Sequence, residues 1–168
     1  LTIMGSLILT NGDVSAGSGA TLTMGSGSEI MIENGAIVMA GGSFDGDAEY
    51  DVSFSGDAQN TGIEVTGNGL NNLMVNLQDS TTTLTLMSDV AASGMVNMQN
   101  GSMVFNGNEL TLNGDFMAGA GATLMGDADA DLNIQSMTGL TSSLMFDPQG
   151  SVLNSLVVDI DNGESVML

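Results

Sequence analysis

Leu70-Asn71-Asn72-Leu73-Met74-Val75-Asn76-Leu77 returns as Leu153-Asn154-Ser155-Leu156-Val157-Val158-Asp159-Ile160, at an offset of 83. Working outward, Gly46-Asp47-Ala48-Glu49-Tyr50-Asp51-Val52-Ser53-Phe54 returns as Gly126-Asp127-Ala128-Asp129-Ala130-Asp131-Leu132-Asn133-Ile134. Gly27-Ser28-Glu29-Ile30-Met31-Ile32 returns as Gly107-Asn108-Glu109-Leu110-Thr111-Leu112, both pairs at an offset of 80. Leu84-Thr85-Leu86-Met87 matches Leu1-Thr2-Ile3-Met4, and Val166-Met167-Leu168 begins the phrase once more. Fixed-period self-similarity marks repeat architectures, whose units bury their apolar faces against their neighbours. The spacing predicts one continuous stack, with a first repeat over 1–83, a second over 84–165 and the start of a third at 166–168. That is the pattern of a segment from a longer array.

Within each repeat the apolar residues alternate over short stretches. Leu7-Ile8-Leu9, Ile30-Met31-Ile32, Ile63-Glu64-Val65, Leu110-Thr111-Leu112 and Leu132-Asn133-Ile134 are examples. Alternation over a few residues predicts strands, and no helical spacing persists anywhere. The separators are turn-forming: Asn11-Gly12, Asn34-Gly35, Asn100-Gly101, Asn106-Gly107, Asn113-Gly114 and Asn162-Gly163. Asn and Gly accept the left-handed backbone angles that tight turns need. Pro148 is the one proline, which fits strand ladders that cannot spare backbone donors.

Two all-β folds fit this pattern. One is a pair of tandem sandwich domains of about 80 residues each. The other is a parallel β-helix, or β-solenoid, with coils of roughly 20 residues. About four such coils fit each repeat, or about eight in all, and a glycine-rich, aromatic-poor chain suits narrow coils. The solenoid is therefore the expected fold.

The phrases Asn106-Gly107-Asn108-Glu109-Leu110-Thr111-Leu112-Asn113-Gly114-Asp115-Phe116 and Leu153-Asn154-Ser155-Leu156-Val157-Val158 resemble repeats of very large surface proteins. These are the β-helical, adhesin-like proteins of Bacteroidetes, often exported by type IX secretion. A looser likeness extends to autotransporter passenger β-helices. The resemblance covers most of the chain and rests on Gly, Asn and Leu patterning. It implies a right-handed parallel β-helix at the cell surface.

Composition excludes much chemistry. The 168 residues include no Lys, Arg, His or Cys against 20 Asp and Glu, a formal net charge of −20. Either selection removed basic side chains, or this sequence departs from that of its gene. Without imidazole or thiol there is no Ser-His-Asp or Cys-His pair, no His or Cys metal ligand and no disulfide. Without Lys or Arg there is no Schiff base, no phosphate-binding lysine and no bidentate clamp. Nucleic acid and anionic membrane surfaces should repel the chain. No apolar run is long enough to span a bilayer, so membrane insertion is not expected.

The acidic clusters are the candidate sites. Asp45, Asp47, Glu49 and Asp51 correspond to Asp127, Asp129 and Asp131 in the second repeat. Alternate residues of a strand share a face, so each cluster is expected to form a carboxylate row. Such rows serve as a solvated outer face, or bind divalent cations such as Ca²⁺ weakly and diffusely. No cofactor is required. Neither cluster completes an EF-hand, and the clusters repeat whereas an active site normally occurs once. A carboxylate-based polysaccharide hydrolase is therefore the least favoured reading.

The 14 methionines carry a second signal. With Leu, Ile and Val pointing inward, Met4, Met31, Met74, Met125, Met145 and Met167 fall on outward positions. They form either a soft apolar stripe for lateral packing or positions where another long side chain belongs. Together these features predict a non-catalytic, extracellular or cell-surface structural or adhesive repeat, as a filament subunit or stalk. Its expected partners are further copies of itself, end to end and side by side, with a glycan or a basic protein as others. The alternative is a solenoid binding module for glycan, or less well for ice, since Thr-x-Thr ranks are sparse.

Overall fold

Each strand is a short alternating segment, and the chain stacks these segments in parallel. The computed structural model describes residues 1–137, 139–161 and 163–168, which form an all-β solenoid of about 7 turns, 49% strand and 2% helix. The widest sheet stacks Ser6–Leu9, Ser28–Ile32, Tyr50–Gly56, Leu70–Leu77, Val96–Val104 and Phe116–Met125. Thr83–Thr85 and Gln59–Asn60 join it below the second half of Val96–Val104. A second sheet stacks Val90–Ala92, Glu109–Leu112, Asp131–Ile134 and Ser155–Val158. Thr2–Ile3, Thr21–Met24 and Ser43–Asp45 make a third, and Val14–Gly17 pairs with Ile37–Ala40. All of these strand pairings are parallel.

Register partners lie between 19 residues apart (Thr83 and Ser102) and 25 apart (Gln59 and Leu84). Coils this long divide the chain into about seven turns, slightly fewer than 20-residue coils would make. The sequence echo also has a spatial form. Ser28–Ile32, Tyr50–Gly56 and Leu70–Leu77 are successive strands of one ladder, and so are their counterparts Glu109–Leu112, Asp131–Ile134 and Ser155–Val158. The two trios sit in different sheets, so the echo is not a simple translation along the axis.

The core consists of columns. Leu7, Ile30, Val52, Leu73, Val96 and Phe116 stack in register, beside Leu9, Ile32, Phe54, Val75, Met98 and Ala118. Val52, Phe54, Leu73, Val75, Val96 and Met98 are all at most 1% exposed. Alternation puts these residues inside, and stacking supplies the neighbours that cover them above and below.

The expected turns hold at Asn106-Gly107, where both residues have positive φ (54° and 73°). Asn100-Gly101 differs, because it lies within Val96–Val104. There the register skips Gln99, a bulge that bends the strand around a corner without ending it. The Asn162 half of the last turn lies outside the described residues. Gly114 has a separate role: a Cβ there would land on the Gly94 carbonyl oxygen one coil below, so the coils meet backbone to backbone. Ile63-Glu64-Val65 also departs from expectation, as a single 3-10 turn closed by Thr66 N–H donating to the Ile63 carbonyl at 3.1 Å.

Candidate functional site

The structure distributes the seven acidic candidates around corners. Asp45 ends the strand Ser43–Asp45, Asp47 and Glu49 occupy the following loop, and Asp51 lies in Tyr50–Gly56. Asp127 and Asp129 likewise sit in a loop before Asp131 begins its strand. Shared-face alternation holds only while the chain remains extended. Both segments turn a corner, so neither cluster forms a single carboxylate row. Among the described residues, no group of three or more Asp or Glu side chains is placed to hold a metal ion.

Several of these acids organise the corners. Asp127 Oδ1 accepts the Asp129 N–H and Oδ2 accepts the Gly107 N–H, each at 2.9 Å. Asp45 Oδ1 accepts the Asp47 N–H at 3.4 Å, and Asp47 Oδ1 accepts Asn68 Nδ2 at 3.1 Å. Asp carboxylates that accept nearby N–H groups are common turn-formers.

The acids that do meet come from different coils. Glu29 lies directly opposite Asp51, and Glu109 directly opposite Asp131. Ser6 precedes Glu29 in the first column, and Ser155 follows Asp131 in the second. Asp89 extends the second column downward, its Oδ1 accepting the Glu109 N–H at 2.9 Å. Like charges directly opposite on paired strands destabilise a sheet. Amides offset this. Asp51 Oδ1 accepts Asn72 Nδ2 at 2.9 Å, the Asn72 N–H at 3.0 Å and Asn71 Nδ2 at 3.2 Å. Asp131 Oδ1 accepts Asn154 Nδ2 at 2.9 Å. The signal for these columns is a spacing of 22 residues, not of two.

Two open grooves border the columns. One of about 420 Å³ is lined by Asn68, Ser88, Asp89, Glu109 and Asn113 among others. The other, of about 200 Å³, is lined by Glu29, Asp51, Ser53, Met74 and Met95 among others. Between the acidic column and the rest of the sheet runs the outward column Ile8, Met31, Ser53, Met74, Asn97 and Met117. Of the six methionines expected to point outward, Met31, Met74 and Met125 lie in strands, and Met4, Met145 and Met167 lie outside them. Met4, Met145 and Met167 are exposed, and Met31, Met74 and Met125 are half-buried.

Among the described residues, one carboxyl lies in the interior. Glu64 is 1% exposed, though strand alternation would have turned it outward. Its Oε1 accepts the Gly62 N–H at 2.5 Å, and its buried Oε2 has no partner. Tyr50 OH donates to the Glu64 carbonyl at 2.7 Å. Burial pushes the Glu64 carboxyl up from its ordinary value and the Tyr50 hydroxyl above the usual tyrosine range. At Asp115 desolvation also pushes the carboxyl up, but hydrogen bonds from the Thr141 hydroxyl and N–H and from the Phe116 N–H outweigh it and hold the carboxyl low. No family model matches this chain, and neither does any curated protein or solved structure.

Proposed function

We propose that the chain is a non-catalytic structural or adhesive repeat of the cell exterior, serving as a filament subunit or as a stalk segment of a giant surface protein. One observation carries this reading. The inward columns continue to the last coil and end uncovered: Leu132 and Ile134 are 0% exposed, whereas Leu156 and Val158, stacked next on them, are 41% and 46% exposed. A further coil would bury them at about 25 cal/mol per Å² of apolar surface. It would also pair the free edge of Ser155–Val158, an edge that otherwise invites strand addition. A second copy stacked end to end would supply that coil. Outward methionines along the side offer lateral contact.

Electron microscopy of the purified chain, with light scattering over a concentration series, tests the reading. Rods or fibres longer than one subunit support it. Monomers at every concentration, together with a specific glycan-array signal, would overturn it. That result would favour a glycan-binding module. The groove beside Asn68, Asp89, Glu109 and Asn113 motivates this second reading, since carboxylates accept hydrogen bonds from sugar hydroxyls and amides both accept and donate them.

A further inference from the structure

The groove of about 200 Å³ has two chemically distinct walls. One wall carries Glu29 and Asp51, directly opposite each other on adjacent strands about 4.8 Å apart. Three N–H groups already occupy Asp51 Oδ1, which leaves Oδ2 and the Glu29 carboxylate as acceptors. The other wall carries Met74, with Met95 also lining the groove, and both are half-buried. Ser53, 6% exposed, lies in the outward column directly beneath Met74.

This combination suits one kind of side chain. Lys and Arg lay an apolar stem along hydrophobic surface and keep a charged head among acceptors. Thioethers are polarisable and adapt their shape to such a stem. A bare Ca²⁺ fits less well, because it takes six to eight hard oxygen ligands and gains nothing from sulfur. These 168 residues hold no Lys, Arg or His to fill the groove, and the Asn71 and Asn72 groups that offset the Glu29–Asp51 repulsion reach Asp51 alone, so a basic side chain from a partner would complete it.

We infer that this groove is a docking site for a basic polypeptide, which seats a Lys or Arg side chain across Glu29 and Asp51 and against Met74. The site lies on the side of the rod and not at its ends, so it stands whether or not subunits stack. Any protein of net charge −20 attracts a polycation, so the test must separate the groove from overall charge. Anisotropy of a labelled octalysine peptide, at about 150 mM NaCl where long-range attraction is screened, does this. Glu29→Gln and Met74→Ser should each weaken binding by about three- to fivefold. Asp159→Asn, which removes an equal charge from an exposed position outside the groove, should leave it nearly unchanged. Asp51 is kept, because its carboxylate holds the Asn71 and Asn72 groups of the next coil. Circular dichroism checks that each variant is folded, and Glu29→Gln decides the matter if Met74→Ser is not. Equal losses in all variants would overturn the inference, as would no binding by the wild type. Loss of the peptide on adding equimolar CaCl₂ would also overturn it and assign the groove to a metal ion.

Discussion

Glu64 is the residue whose chemistry departs furthest from its surroundings. Its buried carboxyl has one backbone donor and one oxygen without a partner, so ionisation is costly there. Its folded pKa lies above the ordinary value of 4.5. A group raised in this way contributes stability that is full below the unfolded value and is lost as pH rises through the folded one. Calorimetry across pH 4 to 8 should therefore show the wild type losing stability as pH rises, with a shallower slope for Glu64→Gln. Parallel curves would show that the carboxyl has the same pKa folded and unfolded, and would overturn the shift. The outer carboxylates also repel more as pH rises, so the difference in slopes carries the result, and not either slope alone.

At the scale of the element, each strand owes its stability to the coils on both sides. Phe54 is 0% exposed in a column between Ile32 and Val75. Phe54→Ala should cost about 3–5 kcal/mol, because neighbouring coils cannot collapse into the cavity without breaking register. Leu156 holds an equivalent inward position in the last strand of its ladder but is 41% exposed. Leu156→Ala should cost under about 1.5 kcal/mol in the isolated chain, since much of that surface is already wet. Urea denaturation of both variants checks the contrast, and comparable losses would mean that the end coil is covered in solution. If subunits stack, the Leu156→Ala cost should grow with protein concentration.

For the whole molecule, charge is the dominant fact. About 7 turns at about 4.8 Å each make a rod roughly 34 Å long. Spreading −20 along it gives about one charge per 1.7 Å, near the density of duplex DNA. Self-repulsion at that density opposes the compact state, and no cationic side chain offsets it. The melting temperature should rise from about 10 mM to about 150 mM NaCl, over which the Debye length falls from about 30 to about 8 Å. Millimolar CaCl₂ should raise it further and promote lateral association, with low affinity because among the described residues no three acids are grouped to hold an ion. A melting temperature indifferent to both would mean that the charges are spaced too widely to interact.

The strand type, the parallel stacking and the inward columns were all legible in the order of residues. Alternation and turn chemistry are local, and a period of just over 80 leaves few ways to stack short strands. The outward Met31, Met74 and Met125 followed from the same alternation. The acidic site did not, because neighbours in a solenoid are set by coil length. Asp45 and Asp51 are six residues apart and separated by a corner, whereas Glu29 and Asp51 are 22 apart and face each other. Coil length varies between 19 and 25 residues through bulges and corners, and no local pattern encodes that variation. Glu64 illustrates the same limit. Alternation pointed it outward, and the 3-10 turn brought it inside, where Tyr50, from outside the local segment, donates to its carbonyl.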